Sequence, residues 1–489
     1  MTTSNPPKLQ DLAIQNLLHN EVSAIDSLQW LPRQLFPPLF KAAIARRCSQ
    51  TLKAMVGTWP FSCLPLGALM AHRQPDLYIL QVTLDGLDAL LAQKIRPCRC
   101  KLQVLDLRKN NKITLEDLGY GIWARDCVRS SQEPEDTQHP RKKQKVECSR
   151  IEEQLLGPLQ VMIELRVAQS GLDESLNLLI DRVEQSKGLL QLCCTKLSFE
   201  TRLPQFELTD KILKLVRLDC VQELIVRGTW DRSTMASFVL YLGQMVNLRI
   251  LLLFEVSVYF RYSQTQAQDQ ENLLVQFTSQ FLRLHQLKKL YLEAVSFLKD
   301  NLGKVLRNLQ TSLEALCITD CSISNVDLVC LSLCPNTSHL RSLNLSHVIL
   351  SDLNMYFLKV LLEKTSDTLL FLDMYGCRLT DSQVICLLPA LRHCTQLLRL
   401  RFSGSPVSMA VLEVLLRDMV PLCKFLFLEF PVPEECYLDN PPVLHEHNLD
   451  MYIDRIRFLM HEFGQYPTSI TTDNDFDFGC DSIAVMFDN

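Results

Sequence analysis

Leu313-Glu314-Ala315-Leu316-Cys317-Ile318-Thr319-Asp320-Cys321 and Leu369-Leu370-Phe371-Leu372-Asp373-Met374-Tyr375-Gly376-Cys377 are two copies of one nine-residue phrase, L-x-x-L-x-apolar-x-x-[N/C/V/T]. A third copy runs through Leu102, Leu105, Leu107 and Asn110, and looser copies begin at Val221, Leu248, Leu287, Leu340, Leu397 and Leu422. Successive starts from 221 to 422 differ by 27, 39, 26, 27, 29, 28 and 25 residues. Only the 39 departs from the period, and it holds the polar insert Tyr262-Ser263-Gln264-Thr265-Gln266-Ala267-Gln268-Asp269-Gln270. A period of this length marks a leucine-rich-repeat solenoid, in which a unit buries its apolar face only against its neighbours. The expected architecture is α/β: a horseshoe of ribonuclease-inhibitor-like repeats, short strand then helix, with an N-terminal helical cap. Such a fold presents a surface rather than a pocket, so binding a macromolecule is its default task.

Composition narrows the function classes. With 47% hydrophobic and 21% charged residues, the 489-residue chain is not a disordered one. A net charge of −5 favours neither nucleic acid nor an anionic membrane as partner. The opening Met1-Thr2-Thr3-Ser4-Asn5-Pro6-Pro7 reads as no signal peptide, and no apolar run approaches a bilayer span. The 19 cysteines therefore point to a reducing compartment and to small buried hydrophobes. Cys321 and Cys377 close the repeat phrase, while Cys98/Cys100, Cys193/Cys194 and Cys330/Cys334 lack a second pair at zinc spacing. Neither a Gly-rich phosphate loop, nor H-E-x-x-H, nor G-x-S-x-G occurs, and the chain has only 15 glycines. A non-catalytic protein without cofactor or metal is expected.

Four stretches follow from the patterning: a helical cap over 1–100, a first repeat strand with a charged loop over 101–150, the solenoid over 151–435, and a C-terminal helical cap with an acidic tail over 436–489. Helices are expected over 8–18, 49–56, 78–94, 151–187 and 448–463, with further helix starts at Ser351-Asp352 and Thr380-Asp381-Ser382. A degenerate repeat is expected at Leu189-Leu192-Cys194-Leu197, and the tail from Asp473, which carries five aspartates and no base, is expected to be loose.

Candidate binding residues fall into three groups. In an L-x-L strand the leucines point into the core and the residues between them face out. That outward set includes Arg227, Phe254, Tyr291, Glu293, Asn344, Asp373, Tyr375 and Arg401. Mixed charge among aromatics suits a protein client, since aromatic and Arg anchors dominate hot spots, and lacks the basic stripe a nucleic acid needs. Second, the basic run Arg141, Lys142, Lys143 and Lys145 lies in the polar loop after Ser130, where it reads as a nuclear import signal or a solvated charge run. Third, Leu9-x-x-x-Ala13-x-x-x-Leu17 has the spacing of a BC-box, the helix that inserts into elongin C, with Ala13 where that box usually carries Cys. Leu31-Pro32-x-x-Leu35-x-x-x-Leu39 follows it with the spacing of a cullin-2 box. A cap that merely seals a solenoid end produces both spacings as well. L-x-x-L-L runs start at Leu87, Leu358 and Leu412; nuclear-receptor docking and plain core packing give the same pattern.

Longer strings resemble the PRAME family of leucine-rich-repeat proteins. They are Leu31-Pro32-Arg33-Gln34-Leu35-Phe36-Pro37-Pro38-Leu39-Phe40, Ser49-Gln50-Thr51-Leu52-Lys53-Ala54-Met55-Val56, Lys101-Leu102-Gln103-Val104-Leu105-Asp106-Leu107-Arg108 and Gln276-Phe277-Thr278-Ser279-Gln280-Phe281-Leu282. The resemblance implies a substrate receptor of a cullin-2 RING ubiquitin ligase, assembled through elongins B and C. It also implies roles in transcriptional repression, retinoic-acid receptor signalling, proliferation, apoptosis and differentiation, in cytoplasm and nucleus. A ubiquitin-independent corepressor is the competing expectation. A ribonuclease-inhibitor-like blocker is a third, and Arg227 and Arg401 speak against its acidic face.

Overall fold

The computed structural model describes residues 9–70, 77–93, 97–108, 158–168, 170–200, 206–259, 266–422, 425–438, 443–473 and 481–487. The basic run 141–145 lies outside them. The chain forms two compact units, the first comprising residues up to Leu165 with Ser170–Thr195 and Ile212–Arg217, the second holding the rest.

The first unit opens with helices α1 (Leu9–Leu17), α2 (Glu21–Ser27), α3 (Phe36–Arg46), α4 (Ser49–Gly57), α5 (Leu66–Met70) and α6 (Leu77–Leu91), with β1 (Cys63–Leu64) before α5. Pro37 and Pro38 occupy the first turn of α3, where a missing N–H costs nothing. Cys48 gives α4 no side-chain cap; instead the Glu21 carboxylate reaches across from α2 and accepts from the Thr51 N–H at 2.9 Å and its hydroxyl at 3.1 Å. A carboxylate at a helix N-terminus both caps it and complements its dipole. Gly86 lets α6 lie on α4, since a Cβ there would stand 3.1 Å from the Lys53 Cα and the Val56 Cβ. Strand β1 pairs in parallel with β2 (Val104–Asp106), and β2 with β3 (Leu159–Ala168). Where sequence patterning points to a helix over 151–187, β3 therefore stands first, and helix α7 (Glu174–Gln185) follows. Leu159, Val161, Ile163, Leu165 and Val167 are all buried, a period of two that belongs to a strand.

The second unit takes up β4 (Leu190–Glu200) from Lys196 and continues through β5 (Glu223–Asp231), β6 (Ile250–Tyr259), β7 (Lys289–Glu293), β8 (Ala315–Thr319), β9 (Ser342–Asn344), β10 (Phe371–Asp373), β11 (Arg399–Arg401) and β12 (Phe427–Pro431), all parallel neighbours. Helix α8 (Phe206–Leu215), which is counted with this unit as far as Lys211, and helices α9 (Arg232–Leu242), α10 (Gln266–Gln280), α11 (Leu302–Arg307), α12 (Asn325–Leu333), α13 (Met355–Thr365), α14 (Asp381–Leu391) and α15 (Met409–Met419) alternate with them. This is a leucine-rich-repeat solenoid. Leu224, Leu251, Leu290, Leu316, Leu343, Leu372, Leu400 and Leu428 form one ladder in register, each at most 1% exposed. Burying one leucine contributes about 1.5–3 kcal/mol, so the ladder is a large share of what holds the repeats together. Helix α13 starts at Asn354, whose side chain caps Tyr356, rather than at Ser351, whereas α14 does start at Thr380.

Register corrects both ends of the repeat pattern. Leu400 pairs with Leu428, so the last phrase begins at Phe425 and not at Leu422, which is exposed; the final interval is then 28 (425 − 397) rather than 25. Likewise Leu197 pairs with Leu224, which starts that phrase at Cys194, not at the exposed Leu189. The eighth position of the phrase is left-handed in repeat after repeat: Gly228, Glu255, Ala294, Asp320, His347, Gly376 and Gly404 all have φ between 52° and 107°.

After β12 come a short hairpin, β13 (Tyr437–Leu438) with β14 (Val443–Leu444), helix α16 (Glu446–Glu462), β15 (Pro467–Asp473) and β16 (Ser482–Phe487). Strand β16 runs antiparallel along β12 and β15 pairs outside it. The tail is thus not loose over 482–487: Ile483 and Val485 are fully buried and seal the last repeat.

Candidate functional site

Helix α1 carries two apolar stripes. Ile14 and Leu18 are buried and hold the helix down, and the Arg46 guanidinium of α3 ties it further by donating to the Gln15 carbonyl at 3.0 Å. Leu9, Ala13 and Leu17, four residues apart, share the neighbouring stripe, and Leu9 is 85% exposed. Asn20 then stops the chain and restarts it, its side chain accepting from the Val22 and Ser23 N–H groups to cap α2. The return segment begins at Leu31; Pro32 opens a single 3-10 turn, Arg33–Leu35, that leads into α3. Leu31, Leu35 and Leu39 stand opposite the α1 stripe. Together the six side chains, with Ile14 beneath and Gln10 as the one polar member, line a groove of about 530 Å³. The BC-box-like and cullin-box-like segments, separate in sequence, therefore make one apolar depression. An exposed apolar concavity on this scale marks a place for a partner.

The repeat face is divided. Arg401 is bound within the fold: its Nε donates to Glu429 at 2.7 Å, its Nη1 to Asp373 at 3.3 Å, and its plane lies 4.6 Å from the Tyr375 ring. The single Ser346 O–H is shared between the Asn344 and Asp373 side-chain oxygens, each 2.7 Å from its Oγ, and Ser403 donates to Glu429. Asn344, Asp373, Tyr375 and Arg401 thus form one internal network over β9–β12. Glu429 and the two serines complete it, and sequence patterning misses Glu429 because of the register slip at Leu422. Toward β5–β8 the face is open. Arg227 is exposed over the Phe254 ring at 5.6 Å, and Tyr291 and Glu293 are half-buried beside it. Burial, then the neighbouring Asp320 carboxylate, pushes the Glu293 carboxyl above its ordinary value. Burial raises the Tyr291 hydroxyl as well. These four side chains offer a cation, two rings and an acid to whatever lies on them.

Remaining candidates are structural. Leu87 and Leu90 are core of α6, as are Leu358, Leu361, Leu362, Leu412, Leu415 and Leu416 in the solenoid. Burial raises the Cys317 thiol to about 11 and raises the Cys321 thiol too, which disfavours the thiolate at both. Among the described residues no group of three His, Cys, Asp or Glu side chains is placed to hold a metal ion, and no helix is long and apolar enough to cross a membrane.

Residues 6–113 match the model of the PRAME N-terminal domain and residues 159–486 that of the PRAME C-terminal domain. The chain belongs to the PRAME family. It is 42% identical to human PRAME family member 12 over 438 residues, 89% of this chain and 86% of the relative. It is 38% identical to mouse preferentially expressed antigen in melanoma-like protein 1 over 424 residues, 86% of this chain and 87% of that one. Among solved structures, the yeast Rad7 and Elc1 complex aligns with 52% of this chain and 83% of its own at 13% identity and a TM-score of 0.23, a likeness too low to build on. Family and repeat fold are both typical of non-catalytic binding proteins.

Proposed function

We propose that this PRAME-family chain is the substrate-recognition adaptor of a cullin-2 RING ubiquitin ligase, with elongins B and C as the link. The observation that carries the proposal is the single groove in which Leu9, Ala13 and Leu17 meet Leu31, Leu35 and Leu39. Its two walls are the segments whose spacing suits elongin C and cullin-2. A solenoid that needed only an end cap would bury all of these leucines; Leu39 is buried, but Leu17, Leu31 and Leu35 are only half-buried and Leu9 is 85% exposed. On this proposal the repeat face holds a protein client through the open β5–β8 region, at Arg227, Phe254, Tyr291 and Glu293. The chain then performs no bond chemistry. It raises the effective concentration of a client lysine near the charged conjugating enzyme, in cytoplasm or nucleus, and the client's degradation follows.

The test is co-purification of elongins B and C with full-length chain. Leu9→Asp alters an exposed side chain, so the fold persists, and Leu17→Asp places a charge inside the groove. Both are expected to lose the elongins, Leu9→Asp at unchanged Tm and Leu17→Asp with a small fall in Tm from its partly buried charge; full recovery of the elongins by both variants would overturn the proposal. The corepressor alternative loses its docking motif, since Leu87 and Leu90 are core.

A further inference from the structure

Trp30 is 85% exposed, as large an exposure as any bulky apolar side chain in the structure, and it immediately precedes Leu31 of the groove. Exposed tryptophan is common enough on mobile loops, but this one is held. The Trp30 and Leu31 N–H groups both donate to the Ser27 carbonyl, at 3.0 and 3.1 Å, closing the end of α2. From a distant part of the chain, the Arg99 guanidinium donates to the carbonyls of Gln29 and Leu31, the two residues that flank Trp30. The same guanidinium lies 5.0 Å from the Phe36 ring, and Phe36 is fully buried at the start of α3. The backbone on either side of the indole is therefore clamped to the core while the indole itself projects into water. Such an arrangement lowers the ordering entropy that a partner must overcome, and tryptophan leads the residue types found at binding hot spots.

We propose that Trp30 is an anchor for the cullin rather than for elongin C, and that Arg99 is its positioning residue. This rests on the adaptor function proposed above. The occupant follows from continuity: the clamp grips the carbonyl of Leu31, the first residue of the cullin-box-like segment, so the backbone that presents Trp30 is fixed to the start of that segment. The BC-box-like stripe belongs to α1, a different helix. Trp30 directly precedes Leu31, which lines the groove, and so offers a large exposed ring next to the leucine of the cullin-box-like segment.

The experiment uses the full chain saturated with elongins B and C and titrated with the cullin-2–RING complex. Trp30→Ala is expected to keep elongin recovery and Tm, because the side chain buries little, while cullin affinity falls roughly 30-fold or more, the scale of a hot-spot residue. Trp30→Phe should restore part of the loss. Arg99→Ala should weaken cullin capture in the same direction and add nothing to Trp30→Ala in the double variant, which a merely structural arginine would not do. Cullin affinity of Trp30→Ala equal to wild type, with elongins still lost by Leu17→Asp, overturns the anchor and leaves the adaptor function standing. Loss of elongins by Trp30→Ala overturns the assignment to cullin. Elongin and cullin capture unaffected in all of these variants overturns the adaptor function and the anchor together.

Discussion

Replacing Arg401 with alanine should cost the solenoid more than its position on a water-facing strand surface suggests. Glu429 is 8% exposed at its side chain and Asp373 is 18%, and both point at the same guanidinium. Removing one member of a buried ion pair costs about 3–5 kcal/mol, because the remaining charge stays desolvated without a partner. Arg401 itself is 26% exposed, so water screens part of the attraction and the expected loss falls to about 2–3 kcal/mol. The lost stacking on Tyr375 is a minor part of that, about 0.5–1 kcal/mol. Urea titration followed by circular dichroism should show a lower midpoint at unchanged slope. Adding Glu429→Gln to Arg401→Met removes the more deeply buried of the two stranded charges and should recover at least about 1 kcal/mol relative to Arg401→Met alone. Arg401→Ala within about 0.5 kcal/mol of wild type, the range of an ordinary surface change, would refute the network as a structural element.

Two further outcomes follow from local geometry. At the left-handed eighth position, Ala294→Gly should stabilise by up to about 1 kcal/mol, since it relieves φ +52°, whereas Gly376→Ala should destabilise by about 1–2 kcal/mol. A Cβ on Gly376 would also meet the His347 Nδ1 at 2.8 Å, so thermal melts of the two variants should move in opposite directions. Asp85 governs a pH response of the first unit. Burial would raise its carboxyl, but ion pairs with Lys53 at 3.0 Å and Arg182 at 2.7 Å outweigh it and hold the carboxyl below its ordinary value. A depressed carboxyl stabilises fully above its unfolded pKa, about 3.9, and the stability is lost as pH falls through the folded value. Asp85→Asn should therefore lower Tm at neutral pH and flatten its decline below about pH 4; parallel pH curves for the two proteins would contradict the role of Asp85.

The solenoid was legible because one leucine ladder repeats through it, and the sequence period counts that ladder directly. Both register slips came from the same source. Leu189 and Leu422 are exposed leucines lying near a true phrase, and one-dimensional spacing gives an exposed leucine the same weight as a buried one. Glu429 was hidden by that slip, and with it the fact that Arg401 is occupied. The left-handed column was invisible because Glu255, Ala294, Asp320 and His347 stand where glycine would have announced it. At the N-terminus the two motif spacings were readable, but their convergence into one groove depends on the Asn20 cap and the turn after α2. The Arg99 clamp joins residues 68 and 70 positions apart, a pairing that no local pattern encodes.

The antiparallel strand β16 has a consequence for how the molecule is made. Parallel repeats leave the ribosome in the order in which they stack, so each new unit finds a completed template. The seal does not follow that order: β12 must wait for the hairpin, α16 and β15 to be translated before Ile483 and Val485 can cover it. Throughout that interval the nascent chain carries an open, apolar sheet edge, the kind of surface that recruits chaperones or a second nascent chain. A premature stop or frameshift that removes 482–487 would leave every repeat intact and make that transient edge permanent.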